Sequence, residues 1–498
     1  MQLRGDCSCL RRRGIDRSTN FRQPAHVNSP LPPALRVASA IVLVASALPF
    51  IAAPASGGEN HSPTNLVNAT TQRPAARNNP IVTRPKINEV GYLPQRSKCF
   101  SITRTESGPH RGDSFRVVTE AGIPVFSGSF SNGPVDDPAT RESVFVGDFS
   151  ELRAPGRYKI EVNGLDSDPF TIGAAVYRPL YNDALRCFYL LRCGVGIDDA
   201  QTGIRHSPCH LKDAPPKAGG AASDLTGGWH NADDYGKWVL EEAVSCSWMM
   251  WLYELKTRDF ATLKINIADS THHISDLLNE VRWGLSWMLK MQQPDGSVLH
   301  KVDAEEHFCP TTPPEKNPFP RFSQPPGSID AADFVGAMCQ ASRVFRSPDP
   351  PFADTCLRAA KRAWAWLEQH PHLVYTDPDY VDSDPSEEEL WALGEMARTT
   401  GDRELEERFA HETAPGELQA VSWWHPQLFG YMAMAFGKET RLEQRHVIRR
   451  KLGALCDDFW WREPMPTRMA SAQHSRNIIG NPTRPSSARP MPSSLRMP

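Results

Sequence analysis

The sequence predicts two bodies in tandem: an all-β sandwich of immunoglobulin type over residues 85–173 and an all-α body over residues 174–462. Three observations carry this prediction. Between Pro85 and Gly173, apolar residues alternate with polar ones in short runs separated by turn signals such as "NG" and "PG". After Gly173 the apolar period lengthens to that of a helix. The chain of 498 residues is also longer than one ordinary hydrophobic core serves, and its 40% hydrophobic content suits a globular body.

In chain order, residues 1–55 have the pattern of an export signal with a long leader. Arg11, Arg12, Arg13, Arg17 and Arg22 precede the apolar run "VASAIVLVASALPFIAAPA", which ends in the small-residue pattern Ala53-Pro54-Ala55. Cleavage is expected near Ala55, giving a secreted or periplasmic protein. Left uncleaved, the run is a membrane anchor, although at under about 20 residues it is marginal for spanning a bilayer. Export is the only membrane association expected. Residues 56–84, rich in Pro, Asn, Thr and Ala, form a linker.

Seven segments are expected as strands: "KINEVGYL", "KCFSIT", "SFRVVT", "VFSGSF", "SVFVGDF", "GRYKIEV" and "DPFTIG". Helical stripes follow in "YRPLYNDALRCFYLLRC", "YGKWVLEEAVSCSWMMWLYEL", "ISDLLNEVRWGLSWMLKMQ", "AADFVGAMCQASRVF", "ADTCLRAAKRAWAWLEQ", "SEEELWALGEMART" and "HPQLFGYMAMAFG". The tail, 463–498, is dominated by Pro, Ser, Arg and Met without periodicity, so a disordered tail behind an incomplete helical body is expected.

Charge narrows the partners. With 55 basic and 58 acidic residues the net charge is −3, which supplies no broad basic face, and nucleic acid is excluded as a partner. Of the 11 cysteines, Cys99, Cys187, Cys246, Cys309, Cys339, Cys356 and Cys456 are scattered without framework spacing, as buried thiols are.

The stretch "GGWHNADDYGKWV", Gly227 to Val239, concentrates polar chemistry between two tryptophans. Its structural reading is a loop entering a helix, with Gly227 and Gly228 freeing the backbone, Asp233 or Asp234 capping, and Trp238 opening the buried face. Upstream, Cys193, Cys209 and His210, with His230 inside the stretch, supply four ligands for a closed tetrahedral zinc site. His206 rivals His230 as the fourth ligand, and a Cys193–Cys209 disulfide is the alternative in an exported protein.

Six segments in order, "INEVGYLP", "RCG" with "HSPCHLKDA", "DLTGGWHNADDYGKWV", "EVRWGLSWMLKMQQPDGSVLHKV" and "SEEELWALGEMARTTGD", resemble the family 9 glycoside hydrolases, specifically the cellulases with an N-terminal immunoglobulin-like domain. The resemblance runs from about Ile87 to Phe436. It implies an (α/α)₆ barrel, here incomplete, that hydrolyses β-1,4-glucan by inversion. Asp234 then stands where the family has its general base. Asn231 stands in the place of a helper aspartate, and Asp233 replaces a glycine. An amide holds water but accepts no proton, and a second carboxylate raises the base's pKa, so both changes imply weakened catalysis. Asp233 taking over the helper role is the third option, although its side chain should point elsewhere.

The same resemblance implies a structural zinc on Cys193, Cys209, His210 and a fourth ligand. It also suggests aromatic sugar contacts, for which Trp229, Trp424 and His425 are chosen from the residues at loops and helix starts. Calcium stays open, with no ligands assigned. No glutamate stands in the context of the family's general acid; Glu439, Glu443 and Glu463 are outside it. Three readings follow: a monomeric endo-β-1,4-glucanase, an inactive relative that only binds glucan, or an enzyme for another β-linked glycan.

Overall fold

The computed structural model describes residues 84–462 except 107, 138–141, 215–223, 233, 269–273, 305–311, 376–381, 383, 414–417 and 419–424. The leader, nearly all of the linker, and the tail therefore lie outside the described residues. Among those described, no helix is long and apolar enough to cross a membrane.

The first body contains β1 (Cys99–Thr103), β2 (Ser114–Thr119), β3 (Pro124–Ser129), β4 (Val135–Asp137), β5 (Glu142–Asp148), β6 (Gly156–Val162), β7 (Leu165–Asp166) and β8 (Phe170–Ile172). They form two antiparallel sheets, β1-β5-β4 and β3-β2-β6-β7, with β8 added alongside β6. Alternation places Phe100, Phe115, Phe145, Phe170 and Ile160 between the sheets, in a core separate from that of the helices. Aromatic rings meet edge to face there, Phe100 lying 4.9 Å from Phe115 and Tyr92 5.0 Å from Phe149.

The segment expected as a first strand, "KINEVGYL", is instead two single bridges, Lys86 to Ser101 and Tyr92 to Ile172. A turn closed by Gly91 N–H to Asn88 O (2.9 Å) breaks it, so its two ends pair with different partners. The second body is touched here, where Asn88 Nδ2 donates to the Tyr177 hydroxyl at 2.9 Å.

The helical body contains α1 (Arg178–Leu190), α2 (Val239–Leu255), α3 (Thr257–Phe260), α4 (Asp276–Met291), α5 (Ser328–Val344), α6 (Pro350–Leu367), α7 (Ser386–Thr400), α8 (Arg403–Glu412), α9 (Gln427–Phe436) and α10 (Leu442–Arg462). Helices α2, α5 and α9 are buried on nearly every side, whereas α6 and α8 bury one stripe only. Such alternation is that of a toroid with inner and outer helices. Each expected helical stripe forms a helix. Three helices escaped the sequence reading: α3 is a single four-residue turn, α8 buries little beyond Phe409 and Glu406, and α10 carries mixed charge, so none shows a clean apolar period.

Local signals explain the helix ends. Asp349 accepts from Phe352 N–H ahead of Pro350, Asp402 accepts from Glu404 N–H, and Gly401 closes α7 in the left-handed conformation. Two inner helices meet backbone to backbone. A β-carbon on Gly430 of α9 would stand 2.7 Å from Leu390 O of α7. Gly430→Ala must therefore push α7 and α9 apart and is expected to lower stability by about 1–3 kcal/mol, the usual cost of overpacking. Denaturant unfolding monitored by tryptophan fluorescence measures this directly.

Candidate active site and metal centre

The stretch from Gly227 to Gly236 is a turn laid over buried polar groups. Gly227 and Gly228 both have positive φ, and a β-carbon on Gly228 would stand 2.7 Å from Glu242 Oε1 and 2.8 Å from Trp287 Cγ. The chain after α1 is zipped to this turn, Cys193 N–H donating to Gly228 O (2.8 Å) and His230 N–H to Leu191 O (2.9 Å). Beneath it Glu280 accepts from Arg192 Nε (3.0 Å) and Nη2 (2.8 Å) and from Trp229 Nε1 (2.8 Å). Glu242 of α2 accepts from the Trp229 N–H, and complete burial pushes its carboxyl well above the ordinary carboxylate range.

On the other flank Lys237, fully buried, donates to Leu225 O (2.8 Å) and Gly227 O (2.9 Å) and pairs with Asp213 at 3.0 Å. Arg321 binds Asp213 at 3.0 Å and donates to Tyr235 O at 2.6 Å. Lys237, Arg321 and Arg192 below the turn thus each have a carboxylate beside them, while Glu242 takes the Trp229 N–H on one oxygen and leaves its Oε2 buried without a partner.

Asp234 sits half-buried at the top of the turn, its Oδ1 accepting from Gly236 N–H at 3.0 Å. Asn231 is exposed, and its backbone N–H donates to Gly236 O at 2.8 Å. Asp233 lies outside the described residues. The expected helix start is displaced: α2 begins at Val239, because Lys237–Trp238 forms a strand, β11, against β12 (Lys301–Ala304), itself paired with β13 (Arg321–Ser323). Two further strands, β9 (Ile197–Asp198) and β10 (Arg205–His206), pair ahead of it. Asp234 therefore closes the turn instead of capping a helix.

The register pairs Lys237 with Val302, so the next step brings Asp303 against Gly236. Asp303 is buried, and its carboxyl is raised first by desolvation and then by the charge of Asp234. It was missed from sequence because nothing local marks it; only strand pairing joins it to the turn. The same pairing sets Lys301 3.8 Å over the Trp238 ring, and His300 Nδ1 lies 2.8 Å from Asp330 Oδ1.

Trp229, expected as a sugar contact, is a core residue. It is 5% exposed, packs edge to face on Phe188, and spends its indole N–H on Glu280. The zipper to the α1 exit turns its ring inward. Trp424 lies outside the described residues. His425 stands before α9, half-exposed, with its Nδ1 on Glu387 of α7.

Cys193, Cys209, His210 and His230 come together, their ligand atoms all within 4.8 Å of one another. Cys193 Sγ lies 3.5 Å from His210 Nδ1, Cys209 Sγ 3.7 Å from His230 Nε2, and His230 Nε2 3.2 Å from His210 Nδ1. His206 stays outside, against Ser207 O at 2.9 Å. Both cysteines are free thiols, so the disulfide alternative does not form. Hydrogen bonding with Cys209 first, then Lys237 and the two histidines, holds the Cys193 thiol well below its ordinary value, while Cys209 is pushed up. Burial lowers the pKa of His230, against the pull of Cys193. Two sulfurs and two imidazole nitrogens thus meet in one set, buried except for the half-buried His210, with donors of the kind that hold a metal ion.

With the geometry in place, comparison with known proteins decides the family. The profile described as "Glycosyl hydrolase family 9" matches residues 177–463, more than half of the chain. The chain belongs to glycosyl hydrolase family 9. Residues 83–167 match the profile "Cellulase N-terminal ig-like domain", so the first body is the immunoglobulin-like module of such cellulases and the helices are those of the (α/α)₆ barrel.

Endoglucanase D of Acetivibrio thermocellus is 32% identical over 346 residues, 67% of this chain and 54% of that protein. A xyloglucan-specific endo-β-1,4-glucanase of Bacteroides ovatus is 31% identical over 70% of this chain and 62% of its own length. This chain thus spans little over half the length of endoglucanase D. Among solved structures, a metagenome-derived family 9 endoglucanase superposes with a TM-score of 0.69 at 31% identity, covering 74% of this chain and 71% of that one. A Zn-binding triple mutant of a family 9 endoglucanase gives 0.67 at 32% identity over the same shares.

The buried frame generates a stability prediction. Arg192→Ala removes two donors from the buried Glu280 carboxyl, so it is expected to cost about 3–5 kcal/mol, as breaking a buried pair does. Chemical unfolding checks this, and a loss below about 1 kcal/mol would mean that the pair carries little of the fold.

Proposed function

We propose that this chain is an exported endo-β-1,4-glucanase that cleaves by inversion with Asp234 as general base. The observation that carries the reading is the placing of Asp234: a carboxylate at the rim of a turn whose backbone is held by Gly236 and Arg321 and whose floor is locked by Lys237, Glu242 and Glu280. A base must be held rigidly against the water it deprotonates, and this turn supplies that rigidity. Water loses its proton to Asp234 and its oxygen attacks the anomeric carbon, while the leaving oxygen takes a proton from an acid on the other face of the sugar. The acid is not assigned to a described residue.

A second reading, binding without turnover, rests on Asn231, whose exposed amide occupies the helper position and accepts no proton. One experiment separates the two. Reducing-sugar release from a soluble β-1,4-glucan is expected from the parent and should fall about 10²–10⁴-fold in Asp234→Ala, the range for loss of a general base. Glucan binding without release from folded protein would establish the second reading. The relative specific for xyloglucan makes a branched β-1,4-glucan a substrate to include.

The metal proposed for Cys193, Cys209, His210 and His230 is zinc, since two thiols and two imidazoles in a closed set match its preferred donors. Zinc there is structural: it ties the chain after α1 to the segment that leads into Asp234. The His210 ring nitrogen facing away from the cluster meets Asn317 at 3.3 Å, which orients the ring. Elemental analysis is expected to find about one zinc per chain, lost in Cys209→Ser together with a lowered Tm. Unchanged melting after complete removal of the metal would contradict a structural role.

A further inference from the structure

We propose that Asp303 supplies the second carboxylate of the water-activating pair, in the role that Asn231 cannot fill. This inference rests on Asp234 being the base of a glycoside hydrolase. Position 231 carries an exposed amide, yet Asp234 is not alone: the antiparallel register of β11 and β12 carries Asp303 to the residue two places beyond it.

The point that a β-carbon of Gly236 would occupy measures how closely the groups converge. It lies 3.3 Å from Asp234 Oδ1, 3.4 Å from Asp303 Cγ and 3.1 Å from Trp238 Nε1. Two carboxylates and an indole nitrogen thus converge on Gly236, and a side chain there would press against all three. Asp303 is fixed on both oxygens, Oδ1 accepting from Ala304 N–H at 2.7 Å and Oδ2 facing Lys301 Nζ at 3.4 Å. Lys301 and Arg321 are the cations that act on it, and Asp234 the anion. A carboxylate held this way on a paired strand meets the demand that catalytic groups sit on rigid elements.

The step balances with these groups. Water bound between the carboxylates gives one proton to Asp234 and keeps a hydrogen bond from its remaining O–H to Asp303. Its oxygen forms the new bond to the anomeric carbon as the leaving group departs with its electron pair. Because both carboxylates stand on one side of Gly236, Asp303 belongs to the water side of the sugar and not to the leaving-group side, where an inverting enzyme keeps its acid several ångströms away. Asp303 must be ionised to accept the water's hydrogen bond, so its deprotonation contributes to the acid limb of activity. Burial and the neighbouring charge keep Asp303 protonated to higher pH than an ordinary aspartate, so its removal moves that limb to lower pH.

The test uses β-cellobiosyl fluoride, whose fluoride leaves without a proton and so reports the base side alone. The full chain is expected to release fluoride. In Asp303→Asn, kcat should fall about 10²-fold with KM nearly unchanged, and the acid limb should move to lower pH. Asn231→Asp placed in that background should recover at least about 10-fold, because it returns a carboxylate to the pair from the other side. If Asp303→Asn does not fold, Gly236→Ala keeps both carboxylates but presses on both of them, and it should lower kcat similarly. The proposal is overturned if the parent releases no fluoride, or if Asp303→Asn leaves kcat and the acid limb unchanged. A variant that loses glucan cleavage but keeps fluoride release would make Asp303 a proton donor and also overturn it. Asp303-dependent fluoride release without any glucan cleavage would defeat the glucanase reading and leave this one standing.

Discussion

The contact on which the site depends is the buried charge beneath its turn. Glu280 is fully enclosed, and Arg192 grips both of its oxygens while Trp229 adds a third donor, as a buried carboxylate requires. Each donor comes from a different piece of chain: Arg192 from the exit of α1, Trp229 from the turn, and Glu280 itself from α4. Satisfying one acid therefore fixes the mutual position of three segments far apart in sequence. Geometry fixed in this way is retained because any slippage leaves an unpaired charge in the core.

The second layer of constraint is continuous with the first. Lys237 and Arg321 share Asp213, and their remaining donors go to carbonyls of the turn and of β12. The cysteine–histidine cluster hangs on the same pieces of chain, with Cys193 beside Arg192 and His230 beside Trp229. The cluster and the salt bridges below it lie on two sides of one backbone segment. Asp234 inherits its position from both.

The immunoglobulin-like module and the barrel are separate in their cores but joined at a small polar and close-packed seam. Asn88 reaches the Tyr177 hydroxyl, and the backbone around Gly91 lies directly against Val176. The seam abuts the start of α1, the helix whose exit delivers Arg192 and Cys193. The module is placed to steady that helix, and no acid–base constellation was found within its strands.

Periodicity in the sequence by itself determined the two bodies and the main helices, because alternation and helical stripes report which faces are buried whatever the partner. Ligand types at metal-site spacing pointed to Cys193, Cys209 and His210, and the family resemblance pointed to the turn at Asp234. Local pattern misjudged Trp229, whose local setting at a loop is that of an exposed ring, and it could not see Asp303, Glu280 or Arg321. Those residues reach the turn only when strand register and helix packing bring distant segments together. His230 over His206 was likewise a tertiary decision, made by which ring the α1 exit and the turn enclose with the two thiols. Local sequence records what a residue is and how its neighbours alternate; a buried charge finds its partner through the fold alone.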